Sequence, residues 1–205
     1  MSARLLAVLA CAALLAGCSN LEGMATRYRA ERMVWKAQRR ETQLRVGKAA
    51  PDSATLLRIR AEYQKLRQTF PPPFIPGQGP GVEKIRRDVA HQVGMAELTA
   101  SRIALYAHRP DLALESARWV RSIADADTAL SREADVGTVM ALRGLRRFDE
   151  AIATMRTMLD RYPPAAPRSP EQEDPILNVP DAIIELRGET SDSTLVSQDR
   201  ALACT

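Results

Sequence analysis

The sequence predicts an all-α fold of stacked helical hairpins, and three observations carry the prediction. Apolar residues recur three and four positions apart through most of the chain, the spacing that places them on one face of a helix, and strand-like alternation of β-branched residues is almost absent. Proline and glycine cluster between these periodic stretches, where they break helices cleanly. The 205 residues are 45% hydrophobic, which suffices for a core, while three cysteines, two of them within the first 18 positions, cannot supply a disulfide framework.

Residues 1–17 carry one charge, Arg4, then the apolar run from Leu5 to Leu15 and the small pair Ala16-Gly17. That is the pattern of a secretory signal, too short to span a bilayer as a helix. Leu15-Ala16-Gly17-Cys18 resembles the bacterial lipobox, in which small residues admit the peptidase and the cysteine thiol accepts the lipid; the alternatives are an ordinary signal with a chance cysteine or an uncleaved anchor. The resemblance implies cleavage before Cys18, a diacylglycerol thioether and an acylated amino terminus. Several acyl chains hold a protein far more firmly than one, at about 0.8 kcal/mol per buried methylene. In that family an Asp after the cysteine retains the protein in the inner membrane. Ser19 stands here, which implies the periplasmic leaflet of the outer membrane.

Six helical segments follow. Residues 21–46 and 130–145 are helical with irregular stripes, whereas the other four have clear ones: Leu56, Ile59, Tyr63, Leu66 and Phe70; Ile85, Val89, Val93, Ala96, Ala100, Ile103 and Ala107; Ala113, Ala117, Val120 and Ala124; Phe148, Ala151, Met155, Leu159 and Tyr162. Pro51-Asp52-Ser53 starts one helix and Arg109-Pro110-Asp111 separates two, since proline lacks a donor and disfavours helix in the preceding residue. The chain divides into a signal at 1–17, a lipidated start and long helix pair at 18–72, a Pro/Gly linker at 73–82, a four-helix block at 83–163, and a Pro-rich linker with an acidic tail at 164–205. In the tail, Ala182, Ile183 and Leu186 predict one short helix ending at Gly188, leaving the preceding hairpin without a full cap.

Phe148-Asp149-Glu150-Ala151-Ile152, Met155, Met158 and Tyr162-Pro163 resemble the second helix of a tetratricopeptide repeat, with Ala134 to Leu145 as the first helix. In that family the small residue, here Ala151, lets the helices approach, Met155 fills the gap, and Pro163 closes a unit of about 34 residues. This sequence departs from the pattern at Leu142, Val139 and Arg146, which replace an aromatic, a small residue and the turn glycine. Residues 83–124 form a second candidate repeat with an overlong first helix, and 61–72 echo the ending of the third hairpin. The layout as a whole, a lipobox, a long charged helix with Tyr28, Ala30, Glu31, Trp35 and Ala37, then stacked hairpins, is similar to repeat-containing bacterial lipoproteins that act as scaffolds. The resemblance implies a short superhelix whose groove is lined by first helices, which places Glu133, Val136, Met140 and Arg143 in it.

Catalytic chemistry is sparse. His91 falls off its helix's apolar stripe, His108 sits in a last turn where a cation is favoured, and neither has a second ligand at metal spacing. Gly77, Gly79 and Gly81 alternate with Gln78 and Pro80 and lack the Lys-Ser/Thr of a phosphate loop. Asp125-Ala126-Asp127 lacks the glycine and distal glutamate of a calcium loop and is read as a helix boundary capped by Asp. The sequence therefore predicts no enzyme, no metal and no cofactor.

Charge is unevenly placed. The total is +4, or +3 without residues 1–17, and export excludes nucleic acid as the partner of a basic chain. Residues 27–48 hold eight cations against two acids, a net charge of +6, whereas 165–205 hold eight acids against three cations, a net charge of −5. Arg27, Arg29, Arg32, Lys36, Arg39 and Arg40 are candidates for contact with lipid headgroups; a solvated helix face, or the acidic tail folded back, are the other readings. Cys204 remains as a thiol, tolerated or bridging between molecules. The function expected is a noncatalytic, lipid-anchored adaptor binding an envelope protein, the rival being a glycan- or lipid-binding accessory subunit.

Overall fold

The computed structural model describes residues 3–46, 51–124, 127–162, 182, 183 and 186, with side chains from residue 22 onward except at 128. They form helices α1 (Ala3–Arg45), α2 (Ser53–Thr69), α3 (Pro80–Tyr106), α4 (Pro110–Ile123), α5 (Thr128–Gly144) and α6 (Phe148–Arg161), with no strand among the described residues. The all-α prediction holds. Asp125, Pro163, the Cys18 side chain, Cys204 and the rest of the acidic tail lie outside the described residues. α1 runs unbroken across position 18, and among the described residues no helix is long and apolar enough to cross a membrane.

Local end signals set most boundaries. The Asp52 carboxylate accepts the Thr55 N–H at 2.6 Å and Asp127 accepts that of Leu130 at 2.9 Å, each satisfying a donor that the first turn leaves free. Pro80 and Pro110 occupy the first turns of α3 and α4, where a missing N–H costs nothing. α3 thus begins three residues before the expected 83, and the linker expected at 73–82 ends at Gly79. What remains of that linker is tied down. Ile75 is buried, Phe74 packs on the same core, and the Arg86 guanidinium donates to the carbonyls of Ile75 at 3.2 Å and Gly77 at 2.6 Å.

α3 packs against α1, α2, α4 and α5; α1 also touches α2, α4 touches α5, and α5 touches α6. Helices α1, α3 and α5 therefore lie side by side in one layer, and α2, α4 and α6 alternate with them in a second. The stripes of α2 and α4 are buried throughout, as is that of α3 from Val89 to Ala107, with Ile85 partly covered. In α6 the buried centre is shifted from the expected one: Ile152 and Met158 go deep while Phe148 and Leu159 are only half-buried. Small residues bring the first layer together. A Cβ on Gly94 of α3 would lie 2.6 Å from Leu130 Cδ2 of α5.

The α3–α4 and α5–α6 turns are built alike. The N–H of Arg109 bonds to the carbonyl of Ala104 and that of Arg147 to Leu142, both at 2.9 Å, closing the helix ends in the six-to-one pattern that needs a left-handed residue. His108 (φ 57°) and Arg146 (φ 59°) take that place. His108 is thus just past the end of α3 rather than in its last turn. Equivalent residues, 109 and 147 for example, stand 38 positions apart, longer than the roughly 34 of a tetratricopeptide unit.

The third hairpin has partners beyond α6. Ile183 and Leu186 are buried in one cluster with Ala104, Leu114, Ala141, Leu142, Ile152 and Met155, and Ala182 packs beside them. The uncapped end expected from sequence is covered at these positions, because their apolar face meets the α5–α6 surface that would otherwise be wet. Leu186→Ala is expected to lower stability by about 2–5 kcal/mol through lost transfer energy and a cavity, read from urea unfolding. An effect under about 0.5 kcal/mol would contradict the seal.

Candidate functional site

The layer of α1, α3 and α5 has one side turned away from α2, α4 and α6. Its helix contacts define that side. Arg27 of α1 donates to Asp88 of α3 at 2.9 Å, Gln92 of α3 donates to Glu31 at 3.2 Å, and Gly23 lies against Ile85. On the far flank of α3, Gly94 meets Leu130, Ser101 faces Gly137, and the His91 Nδ1 and Asp127 Oδ2 atoms are 2.6 Å apart. At 100° per residue, the positions between these two seams are solvent-facing.

The large exposed apolar side chains gather there. Met24, Tyr28, Trp35 and Val46 occupy adjacent positions on α1 and its end, Met95 and Tyr106 lie on α3, and Met140 on α5. Tyr106 is 69% exposed, Tyr28 63%, Trp35 55% and Met140 54%. These are all of the large exposed hydrophobic residues among the described ones. Scattered apolar residues on a surface are ordinary, but a shared face marks an interaction site. Arg102 and His91 of α3 and Arg39 of α1 border them, and the Arg39 guanidinium lies 5.2 Å from the centre of the Trp35 ring.

Of the four groove residues expected on α5, Glu133, Met140 and Arg143 are exposed on this side. Val136 is half-buried and packs on Met158 and Tyr162 of α6, so it sits at the edge of the face and serves the core. Of the six cations expected to meet headgroups, Arg27 is engaged with Glu31 and Asp88 and links α1 to α3. Arg29, Arg32, Lys36, Arg39 and Arg40 are exposed.

A second arrangement went unread in the sequence. Glu97 of α3 is fully buried; it accepts the Ser116 hydroxyl at 2.7 Å and faces Arg67 of α2 at 3.4 Å, and Arg67 lies over the Trp119 ring at 4.7 Å. Buried Arg60 reaches Ser116 from the other side at 3.4 Å; burial pulls its pKa down, and the Glu97 charge opposes that. Thirty-eight residues on, Asp135 of α5 repeats the plan: Arg121 of α4 at 3.3 Å, Arg161 at 3.3 Å and the Tyr162 hydroxyl, which donates at 2.8 Å. Each buried acid thus ties a hairpin to the second-layer helix before it. The signal was present: Ala96-Glu97 and Ala134-Asp135 place an acid beside a core alanine at the same repeat position.

Glu97 Oε1 and the Asp135 carboxylate are held by cations and hydroxyls inside the stack, Glu97 Oε2 is buried without a hydrogen-bond partner, and among the described residues no group of three His, Cys, Asp or Glu is placed to hold a metal. Partial burial raises the Asp127 carboxyl, but the Leu130 N–H and the His91 ring outweigh it and hold it below the usual carboxylate range. Asp127 therefore fixes the start of α5. No family model, curated protein or solved structure matches the chain.

Glu97→Ala leaves part-buried Arg67 without its buried carboxylate and removes the charge that offsets the burial of Arg60, and is expected to cost about 3–5 kcal/mol. Glu115→Ala, which removes an exposed partner of Arg67, is expected to cost less than about 1 kcal/mol. Urea unfolding of both variants decides; equal losses would show that the buried acid is not a clamp.

Proposed function

We propose that this chain is a noncatalytic, lipid-anchored adaptor of a bacterial envelope, tethered through acylated Cys18 and binding a protein segment on the exposed side of α1, α3 and α5. The observation that carries the reading is the gathering of Tyr28, Trp35, Met95, Tyr106 and Met140 on one side of one layer. Tyr and Trp give large contact area at low entropic cost, and Met adapts to an irregular partner, so this composition suits recognition. The alternating layers and matched turns support a short superhelix like that of tetratricopeptide proteins, with a groove lined by first helices; the 38-residue spacing makes it a divergent one.

The lipid anchor rests on Leu15-Ala16-Gly17-Cys18 and the apolar run before it, and the outer membrane on Ser19. Together these put the binding side within reach of other envelope proteins. The partner's class is a polypeptide, because the face is broad and open and offers apolar contact rather than convergent polar groups.

A photoactivatable crosslinker at Met95, Tyr106 or Met140 is expected to capture a partner in living cells, whereas one at Arg58 or Gln68 on the outer side of α2 is not. Glu133→Lys with Arg143→Glu is expected to weaken that capture, and Tyr106→Glu with Met140→Glu to abolish it. Equal capture from α2, or none from the inner side, would defeat the reading.

A further inference from the structure

α1 carries a second surface beside the apolar one. Ala30 and Ala37 are buried at its centre of packing, and the opposite arc holds Arg29, Arg32, Lys36, Arg39 and Arg40, all exposed. None of the five has a carboxylate partner among the described residues. The nearest polar contact is Arg40 to Gln43 at 3.5 Å, and Arg39 rests on Trp35. The acids that α1 does carry along this stretch are used elsewhere: Glu31 engages Arg27 and Gln92, and Glu41 engages Arg45 and Tyr63. The strip is therefore cationic, the acids of the same stretch being engaged by other groups, and it is bordered by Tyr28 and Trp35.

We propose that this strip docks on anionic phospholipid headgroups of the bilayer that anchors Cys18, so that α1 lies along the membrane surface. Three features select that occupant. Five unneutralised cations spread over the 12 residues from Arg29 to Arg40, about 17 Å at 1.5 Å of rise per step, match a surface of many phosphates rather than a single anion. Trp and Tyr at the edge of the strip are the side chains that settle at the headgroup level, with an apolar body and a polar tip. The same unbroken helix leads back to position 18, a further distance of about 17 Å, so the strip starts within reach of its lipid. Docking here orients the stack: the side of α1, α3 and α5 that carries Tyr106 and Met140 is set next to the membrane surface, facing segments that emerge from it.

This rests on the lipid-anchor reading, and the test separates the two. The full chain, produced in a cell that acylates it, is reconstituted into vesicles of phosphatidylcholine alone or with phosphatidylglycerol. Trp35 is read by emission wavelength and by quenching with brominated lipid, in a Trp119→Phe background and, as a check on folding, in the unsubstituted chain. Flotation with pure phosphatidylcholine vesicles reports the anchor alone; the difference between the two vesicle types reports the strip alone. The expected result is a shift to shorter wavelength and strong quenching only with phosphatidylglycerol, reversed by high salt. Arg32→Glu with Lys36→Glu and Arg40→Glu is expected to abolish the quenching while flotation persists; loss of each cation lowers the docked-to-lifted ratio roughly fivefold. Equal Trp35 spectra in both vesicles would overturn the proposal, as would protection of Trp35 by an acidic protein partner but by neither lipid.

Discussion

α3 has neighbours on four sides, and that crowding is the constraint from which the rest of the structure follows. A 27-residue helix can touch α1, α2, α4 and α5 together only if its contact positions are small or matched in charge. Gly94, Ala96, Ala100 and Ala104 let the neighbours close in, and the one fully buried long polar side chain of α3, Glu97, is met by Ser116 and Arg67, with the charge of Arg60 beyond Ser116. A buried carboxylate is tolerable only with such partners. The same solution recurs at Asp135, so successive hairpins are joined by one repeated device.

Small residues at the seams have a consequence for function. Where α1, α3 and α5 approach closely, large side chains have no room between them and must stand on either surface of the layer. Those facing the second layer become core, including Val89, Val93 and Ile103; those facing away stay wet, including Tyr28, Trp35, Met95, Tyr106 and Met140. The packing that stabilises the stack thus also presents an apolar surface for binding. The cationic arc of α1 arises separately, since its acids are engaged by Tyr63 of α2, Gln92 of α3, and Arg27 and Arg45 of α1 itself.

Much of the fold was legible because period and punctuation agree. Proline at 51 and 110 and the apolar stripes placed the helices. The width of the buried surface on α3 was not legible. Its stripe from Ile85 to Ala107 marks one face, yet Gly94, Glu97, Leu98 and Ser101 are also buried, because burial on so many sides depends on partners distant in sequence. Val136 shares the stripe of Met140 and Arg143, four and seven positions away, but Met158 and Tyr162 of α6 cover part of it, a contact that nothing local in the sequence shows. The Pro/Gly segment read as a free linker because nothing local shows that Arg86, a helix turn beyond it, fastens its carbonyls.

The most direct test of the central claim, that the apolar side of α1, α3 and α5 is occupied in the envelope, is hydroxyl-radical footprinting in intact cells against the purified chain. Tyr28, Trp35, Tyr106 and Met140 are all exposed and oxidisable. The account predicts that the four react readily in the purified chain and are protected together in cells. Reaction at the same rate in both settings would contradict it.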